Sequence, residues 1–316
     1  MSADARQFVD EHEDEQLADL FDLLAQPSIS ATGEGVADCV ELVQQLCEGY
    51  GFDDAMRVET PGQPAVIARA GAAASVDDPS TIFVYGHYDV QPADPEEWTS
   101  PPFEPTIREG PDGRERIYAR GAGDNKGQWF AHLCAVRALR QTTGLPCNVT
   151  LLLEGEEESG SPNLDGVVRE YADVFSDADL AYVADGPIDE SGRPHVLMGA
   201  RGMQYVQVDV QGPNRDLHSG NYGGPVPNPA WELVRIVASL KDDSGRVTID
   251  GFYDDVRPIE ERDREALDAM PFDADAIKVD LDIHAFAEGP GESYLEKLLY
   301  YPTCNICGFS SGYGGE

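Results

Sequence analysis

Apolar positions recur with a helical period from about Ala5 to Leu24, where Phe8, Leu17, Leu20, Phe21 and Leu24 share one side, and again from Val36 to Leu46. Both stretches predict helices that cover a sheet. Short runs rich in β-branched, aliphatic and aromatic residues predict strands near Pro64 to Arg69, Thr81 to Gly86, Asn148 to Leu153 and Leu180 to Ala184. Helical spacing returns between the later strands, at about Lys126 to Gln141 and Asn163 to Phe175. Alternation of the two periods is the signature of an α/β fold. After Arg201 the texture changes. Met203 to Val210 alternates like a strand with one solvated face, a helix is predicted from about Pro229 to Leu240, and the acidic stretch from Asp254 to Lys297 reads as helical. The pattern therefore divides the chain into two domains, 1–201 and 202–316.

Charge narrows the picture. The 316 residues carry 59 acidic and 22 basic side chains, a formal net charge of -37, and the only lysines are Lys126, Lys241, Lys278 and Lys297. Such a field excludes nucleic acid as a partner and opposes binding to anionic membranes. It also repels itself unless salt screens it, which points to a halophilic cytoplasm. The N-terminus is charged from Asp4 onward without the apolar core of a signal peptide, and no run approaches the roughly 18 apolar residues of a membrane span. Cys39, Cys47, Cys134 and Cys147 fall within helix or strand patterns, where cysteine behaves as a small hydrophobe. Cys304 and Cys307 have a metal-like spacing that no second pair or nearby His completes.

The chemistry concentrates at strand ends. His87-Tyr88-Asp89 follows the strand-like run Thr81 to Tyr85, Glu156-Glu157-Glu158 follows Asn148 to Leu153, and Asp185 follows Leu180 to Val183. Asp124 closes a Gly-rich turn at the start of a predicted helix, where capping is the simpler role for a carboxylate. In an acidic chain with six His, roughly one His-x-acid pair is expected by composition alone, and His12-Glu13-Asp14, in a charged run that reads as a solvated helix face, is that accident. His87 differs because it sits at the carboxyl end of a buried strand, the edge where open α/β sheets bind ligands. Adjacent carboxylates such as Glu157 and Glu158 repel in water, and a pair of divalent metals reverses that penalty. A His, two Asp and a Glu pair at successive element ends can converge on such a pair, which makes hydrolysis the leading chemistry.

The His87 to Asp89 motif, Trp98 with Pro102-Phe103, the run Arg120 to Gly127, the run Glu154 to Ser161, Asp185, and Leu217-His218-Ser219-Gly220 with Tyr222-Gly223-Gly224 stand in one order along nearly the whole chain. This constellation resembles the aminoacylase/carnosinase-type di-metal peptidases, within them the cytosolic non-specific dipeptidase and carnosinase branch. The resemblance implies a zinc-peptidase-like mixed sheet flanked by helices, with residues 1–201 as the N-terminal part of the catalytic domain. Residues 202–316 then correspond to part of an inserted α+β, ferredoxin-like lid and dimerisation domain. It implies that His87 and Asp185 bind one of two divalent metals, that Asp124 bridges both, and that Glu158 binds the other. Zinc is the first expectation, with manganese or cobalt as alternatives. It further implies that Asp89 orients the His87 ring, that Glu157 is the general base, and that His218, supplied by the partner subunit of a homodimer, stabilises the oxyanion.

One departure stands out: the family completes its second metal with a His near the C-terminus, and no residue before Glu316 matches it. The sequence thus reads as C-terminally truncated. Two functions from different classes follow. One is metal-dependent hydrolysis of dipeptides or related aminoacyl amides, with N-acyl-amino-acid amidohydrolysis as a variant. The other is an incompetent remnant or an interaction subunit of such an enzyme.

Overall fold

A computed structural model describes residues 2–110, 113–186, 196–197, 199 and 201–312 of the chain. The chain falls into two compact units, residues 1–187 and 188–316.

The first unit begins with α1 (Ala3–Glu11), α2 (Glu13–Ala25) and α3 (Val36–Gly49), followed by β1 (Asp54–Val58), β2 (Ala65–Ala70) and β3 (Thr81–His87). A two-stranded hairpin of β4 (Thr106–Glu109) and β5 (Glu115–Tyr118) precedes α4 (Lys126–Gln141) and β6 (Asn148–Glu154). The short helices α5 (Leu164–Glu170) and α6 (Ala172–Phe175) lead to β7 (Leu180–Val183). Five strands form one mixed sheet in the order β1-β2-β6-β3-β7, with β1, β2 and β6 antiparallel in succession and β3 parallel to both β6 and β7.

The central strand shows why the sequence folds this way. Its run Val149 to Leu153 is continuously apolar or β-branched because both of its faces are covered. Val149, Leu151 and Leu153 pack into a core with α3 and α4 residues such as Val40, Val43, Trp129 and Leu133. Leu152 faces a second, smaller core with Ile67 and Val167. Fully burying one such leucine contributes about 1.5–3 kcal/mol. The parallel register pairs His87 with Glu154, so β3 and β6 end side by side, and β7 runs parallel on the other flank of β3. The loops carrying His87, Glu157 and Asp185 therefore leave the same edge.

The single N-terminal helix predicted from the pattern is in fact two. His12 breaks it with a non-helical φ of -115°, its ring stacked on Phe8 and its Nδ1 2.8 Å from the Phe8 carbonyl. Glu13, Asp14 and Glu15 then occupy the first turn of α2, where negative charge is favoured, so the charged run nucleates a new helix. The helix expected over 163–175 is likewise divided, at Tyr171. The strand β1 and the β4–β5 hairpin, which the pattern did not predict, are short, with β1 only partly buried and half of the hairpin residues exposed, so little apolar alternation marks them.

The second unit contains α7 (Ser219–Tyr222), α8 (Pro229–Ser239), α9 (Glu261–Ala269), α10 (Ala274–Asp280) and α11 (Tyr294–Leu299). The expected strand over 203–210 is not part of any ladder among the described residues, and Met203, Tyr205 and Val206 are 91%, 72% and 70% exposed. Alternation confers strand propensity, but a strand exists only where a neighbour accepts its hydrogen bonds. The acidic stretch 254–297 forms three short helices rather than a continuous one. Among the described residues no helix is long and apolar enough to cross a membrane.

Candidate metal centre

His87 is the last residue of β3 and is completely buried. Its Nδ1–H faces two acceptors from Asp89, the main-chain oxygen at 3.1 Å and carboxylate Oδ1 at 3.3 Å. The opposite nitrogen, Nε2, points at carboxylates: Asp124 Oδ1 at 3.0 Å, Asp185 Oδ2 at 3.6 Å and Glu157 Oε2 at 3.9 Å. Donor atoms of His87, Asp124 and Asp185 all lie within 4.8 Å of one another, close enough to share one ion.

Four loops are thus gathered by direct hydrogen bonds. Asn125 is central, because its Oδ1 accepts from the His87 backbone N–H (3.1 Å) while its Nδ2 donates to Gln128 Oε1 and to the Ala184 carbonyl next to Asp185, both at 2.7 Å. Gln128 donates in turn to the Gly186 carbonyl at 2.8 Å, and the Trp129 indole N–H donates to the His87 carbonyl at 3.0 Å. Gly86 makes room for this arrangement. A Cβ there would lie 2.7 Å from Asn125 Oδ1 and 3.2 Å from Trp129 Cβ. Gly86→Ala is therefore expected to cost about 1–3 kcal/mol by overpacking. Denaturant unfolding checks it, and an unchanged midpoint would show that the loop has slack.

Asp89 does more than orient the imidazole. Its two carboxylate oxygens accept the backbone N–H groups of Glu157 and Glu158, each at 3.1 Å, while Gln91 Nε2 donates to the Glu158 carbonyl at 2.8 Å. Beneath the same turn the buried Glu154 carboxylate accepts from Tyr85 Oη at 2.5 Å and Ser161 Oγ at 2.8 Å. The turn bearing Glu157 and Glu158 is held from both ends.

Electrostatics follow from this crowding. Burial opposes a charge on His87, but the hydrogen bond to Asp89 and the negative charges of Asp89, Glu157 and Asp185 outweigh it, lifting the imidazole to about 9. Burial pushes the carboxyls of Glu157, Glu158 and Asp185 up, and mutual repulsion adds to it: Asp185 and Glu158 act on Glu157, and Asp124 acts on both Glu158 and Asp185. At least three carboxylates thus press on one imidazole nitrogen. That imbalance is what a divalent cation relieves, and the donor set of imidazole and carboxylates suits zinc, manganese or cobalt.

Of the residues singled out from sequence, the fold brings His87, Asp89, Asp124, Glu157, Glu158 and Asp185 to one sheet edge. Glu158 stands near enough to Asp124 to feel its charge, but it is not one of the three groups whose donor atoms cluster. His218 belongs to the second unit, where it is exposed and its Nδ1 accepts from the Gly220 N–H at 3.0 Å. Asn125, Gln128, Gln91 and Lys126 escaped sequence reasoning as supports of the site. Their one signal was position, directly beside the acidic motifs. Cys304 and Cys307 are free thiols outside the metal-capable cluster.

Comparison with known proteins extends these observations. The profile of peptidase family M20/M25/M40 matches residues 83–292. The chain is 32% identical over 297 residues to the human Beta-Ala-His dipeptidase, covering 92% of itself and 55% of that protein. It is 30% identical over 312 residues to a Cys-Gly metallodipeptidase of Candida albicans, covering 92% of itself and 63% of the relative. The crystal structure of an M20 family metallo-carboxypeptidase from Sulfolobus solfataricus superposes with a TM-score of 0.80 at 37% identity, over 96% of this chain and 67% of that one. The chain spans little more than half the length of the first of these relatives.

Proposed function

The chain belongs to peptidase family M20/M25/M40, and from that premise we propose that it hydrolyses dipeptides or related aminoacyl amides at a site built on His87, Asp124, Glu158 and Asp185, with Glu157 as general base. The observation that carries this reading is the convergence of three carboxylates on Nε2 of one buried imidazole. The names of two relatives, both dipeptidases, support the substrate class.

In this assignment His87, Asp124 and Asp185 would hold one divalent metal, and Asp124 with Glu158 would hold a second. When bound, such metals supply Lewis acidity toward the scissile carbonyl and acidify water near neutral pH. The remaining work belongs to the chain. Glu157 takes the proton of the attacking water on a carboxylate oxygen and delivers it to the leaving amine nitrogen. Its burial, which raises its pKa, brings that proton exchange closer to neutrality. Asp89 keeps the His87 proton on Nδ1, leaving Nε2 as the ligand atom.

The test is metal analysis with a hydrolysis panel of dipeptides, longer peptides and N-acyl amino acids at molar salt. Hydrolysis that a chelator abolishes and zinc, manganese or cobalt restores is the expected result, and the panel ranks the substrate classes. A protein that takes up no metal and cleaves nothing in the panel would sink the assignment.

Residues 202–316 are assigned to a lid and dimerisation module that presents His218 across a homodimer. With Nδ1 accepting from Gly220, the neutral ring carries its proton on Nε2, the donor that an oxyanion needs. Mixing Glu157→Gln subunits with His218→Ala subunits should recover part of the activity in heterodimers, and no recovery would place His218 in cis. The charge of -37 further supports a cytoplasm of high salt. Stability should rise steeply between low and molar KCl as repulsion is screened. A salt-independent unfolding midpoint would count against that setting.

A further inference from the structure

Four loops carry the charged groups of the site, and one short segment that contributes none of them touches three of the four, those of His87, Asp124 and the Glu157–Glu158 turn. Residues 26–30 leave the end of α2 as Gln26-Pro27-Ser28-Ile29-Ser30. Toward the Asp124 loop the contact is Lys126, the first residue of α4, which is completely buried and whose Nζ donates to the carbonyls of Leu23 (3.1 Å) and Gln26 (2.7 Å). Toward the His87 loop, Ser28 Oγ donates to the Tyr88 carbonyl at 2.7 Å, the Val90 N–H donates back to the Ser28 carbonyl at 2.9 Å, and Ile29 forms a β-bridge with Val90. Toward the Glu157–Glu158 turn, Ser159 Oγ meets Ser30 Oγ at 2.9 Å.

A buried ammonium is costly, and an apolar side chain would fill the same space at less cost. Lys126 sits where an interior cation is tolerated, at the carbonyl end of α2, whose dipole is negative there. The gain from keeping it is geometric. An apolar residue cannot tie the carbonyls of Leu23 in α2 and of Gln26 just beyond it to the residue two places after Asp124. The Ser28 side chain and backbone make the matching tie to the residues on either side of Asp89. The separation between the His87 and Asp124 loops is thereby held from outside as well as by the direct bonds of Asn125 and Trp129 to the His87 backbone.

We infer that residues 26–30 are a spacer that fixes the relative positions of His87, Asp124 and Glu158, with Lys126 and Ser28 as its positioning residues. This rests on the metal-hydrolase reading above. The N-terminal helices are then part of the metal site although they contribute no ligand.

The experiment is competition titration with zinc alone on the whole chain, comparing the unaltered protein with Lys126→Met, Ser28→Ala and a control, Leu133→Ala. The control opens a cavity in the same core without touching the spacer. All are measured where each is folded. Lys126→Met should bind zinc about 10- to 100-fold more weakly, as removal of a support behind a ligand does, and Ser28→Ala should weaken it in the same direction. Leu133→Ala should bind like the unaltered chain. Unaltered affinity in both spacer variants, or an equal loss in Leu133→Ala, overturns the inference. If Lys126→Met does not fold, Ser28→Ala decides alone. Failure of the unaltered chain to bind zinc overturns the metal reading and this inference with it.

Discussion

Replacing Glu157 by Gln is expected to lower kcat by about 10²- to 10⁴-fold while metal content stays unchanged. The two halves of this expectation come from different atoms. The Glu157 backbone is held through its N–H by Asp89 Oδ1, which an isosteric side-chain change does not touch, so the turn and its neighbour Glu158 keep their places. The side chain places Oε2 3.9 Å from His87 Nε2, within the cleft but beyond the closest carboxylate, as befits a group that reaches the substrate water rather than the ion. Turnover assays beside metal analysis on the same preparation check it. If metal is lost together with activity, Glu157 is a ligand and the base lies elsewhere.

Removal of the Asp89 carboxylate should do the opposite, striking metal binding and the fold together. Asp89→Ala takes away the acceptor beside His87 Nδ1 and the acceptors of two backbone N–H groups at once. Loss of an orienting partner behind a ligating His typically costs 10- to 100-fold in metal affinity, and here the Glu158 turn loosens as well, so the upper part of that range is expected. Stability should fall by about 1–3 kcal/mol in total, less than two fully buried orphaned donors would cost, because water reaches the half-buried turn. Zinc titration and denaturant unfolding measure the two effects. Affinity within threefold of the unaltered chain would mean that the main-chain oxygen of Asp89, 3.1 Å from Nδ1, suffices to hold the ring.

Both expectations depend on residues whose types were visible in the sequence and whose partners were not. The family resemblance implied that Asp89 contacts the His87 ring. Nothing in the spacing told that the same carboxylate caps the turn at Glu157 and Glu158, 68 and 69 residues away. Lys126 appeared only as a letter in a Gly-rich acidic motif, yet its ammonium ends on carbonyls 103 and 100 residues earlier. His12 reads in the sequence as part of a solvated helix face, and the structure makes it a helix break, because its ring bonds and stacks back onto Phe8.

The sequence by itself determined the strands β2, β3, β6 and β7 of the first unit, the helices over α3 and α4, and the set of groups at the strand ends. An apolar run as short as Val149 to Leu153, with β-branched Val149 and Thr150, reads as a buried strand, and a carboxylate or imidazole directly after such a run falls at the strand's carboxyl end. Only the tertiary structure decided that those ends meet. The order β1-β2-β6-β3-β7 puts the ends of β3, β6 and β7 next to one another, and hydrogen bonds from Asn125, Trp129 and the segment after α2 hold the loops together. It also decided that residues 203–210, strand-like in pattern, stay outside any ladder among the described residues. The reason is the range of the forces involved: periodicity and propensity act within a few residues along the chain. Strand pairing and buried hydrogen bonds join residues tens of positions apart, and packing of the whole unit selects among them.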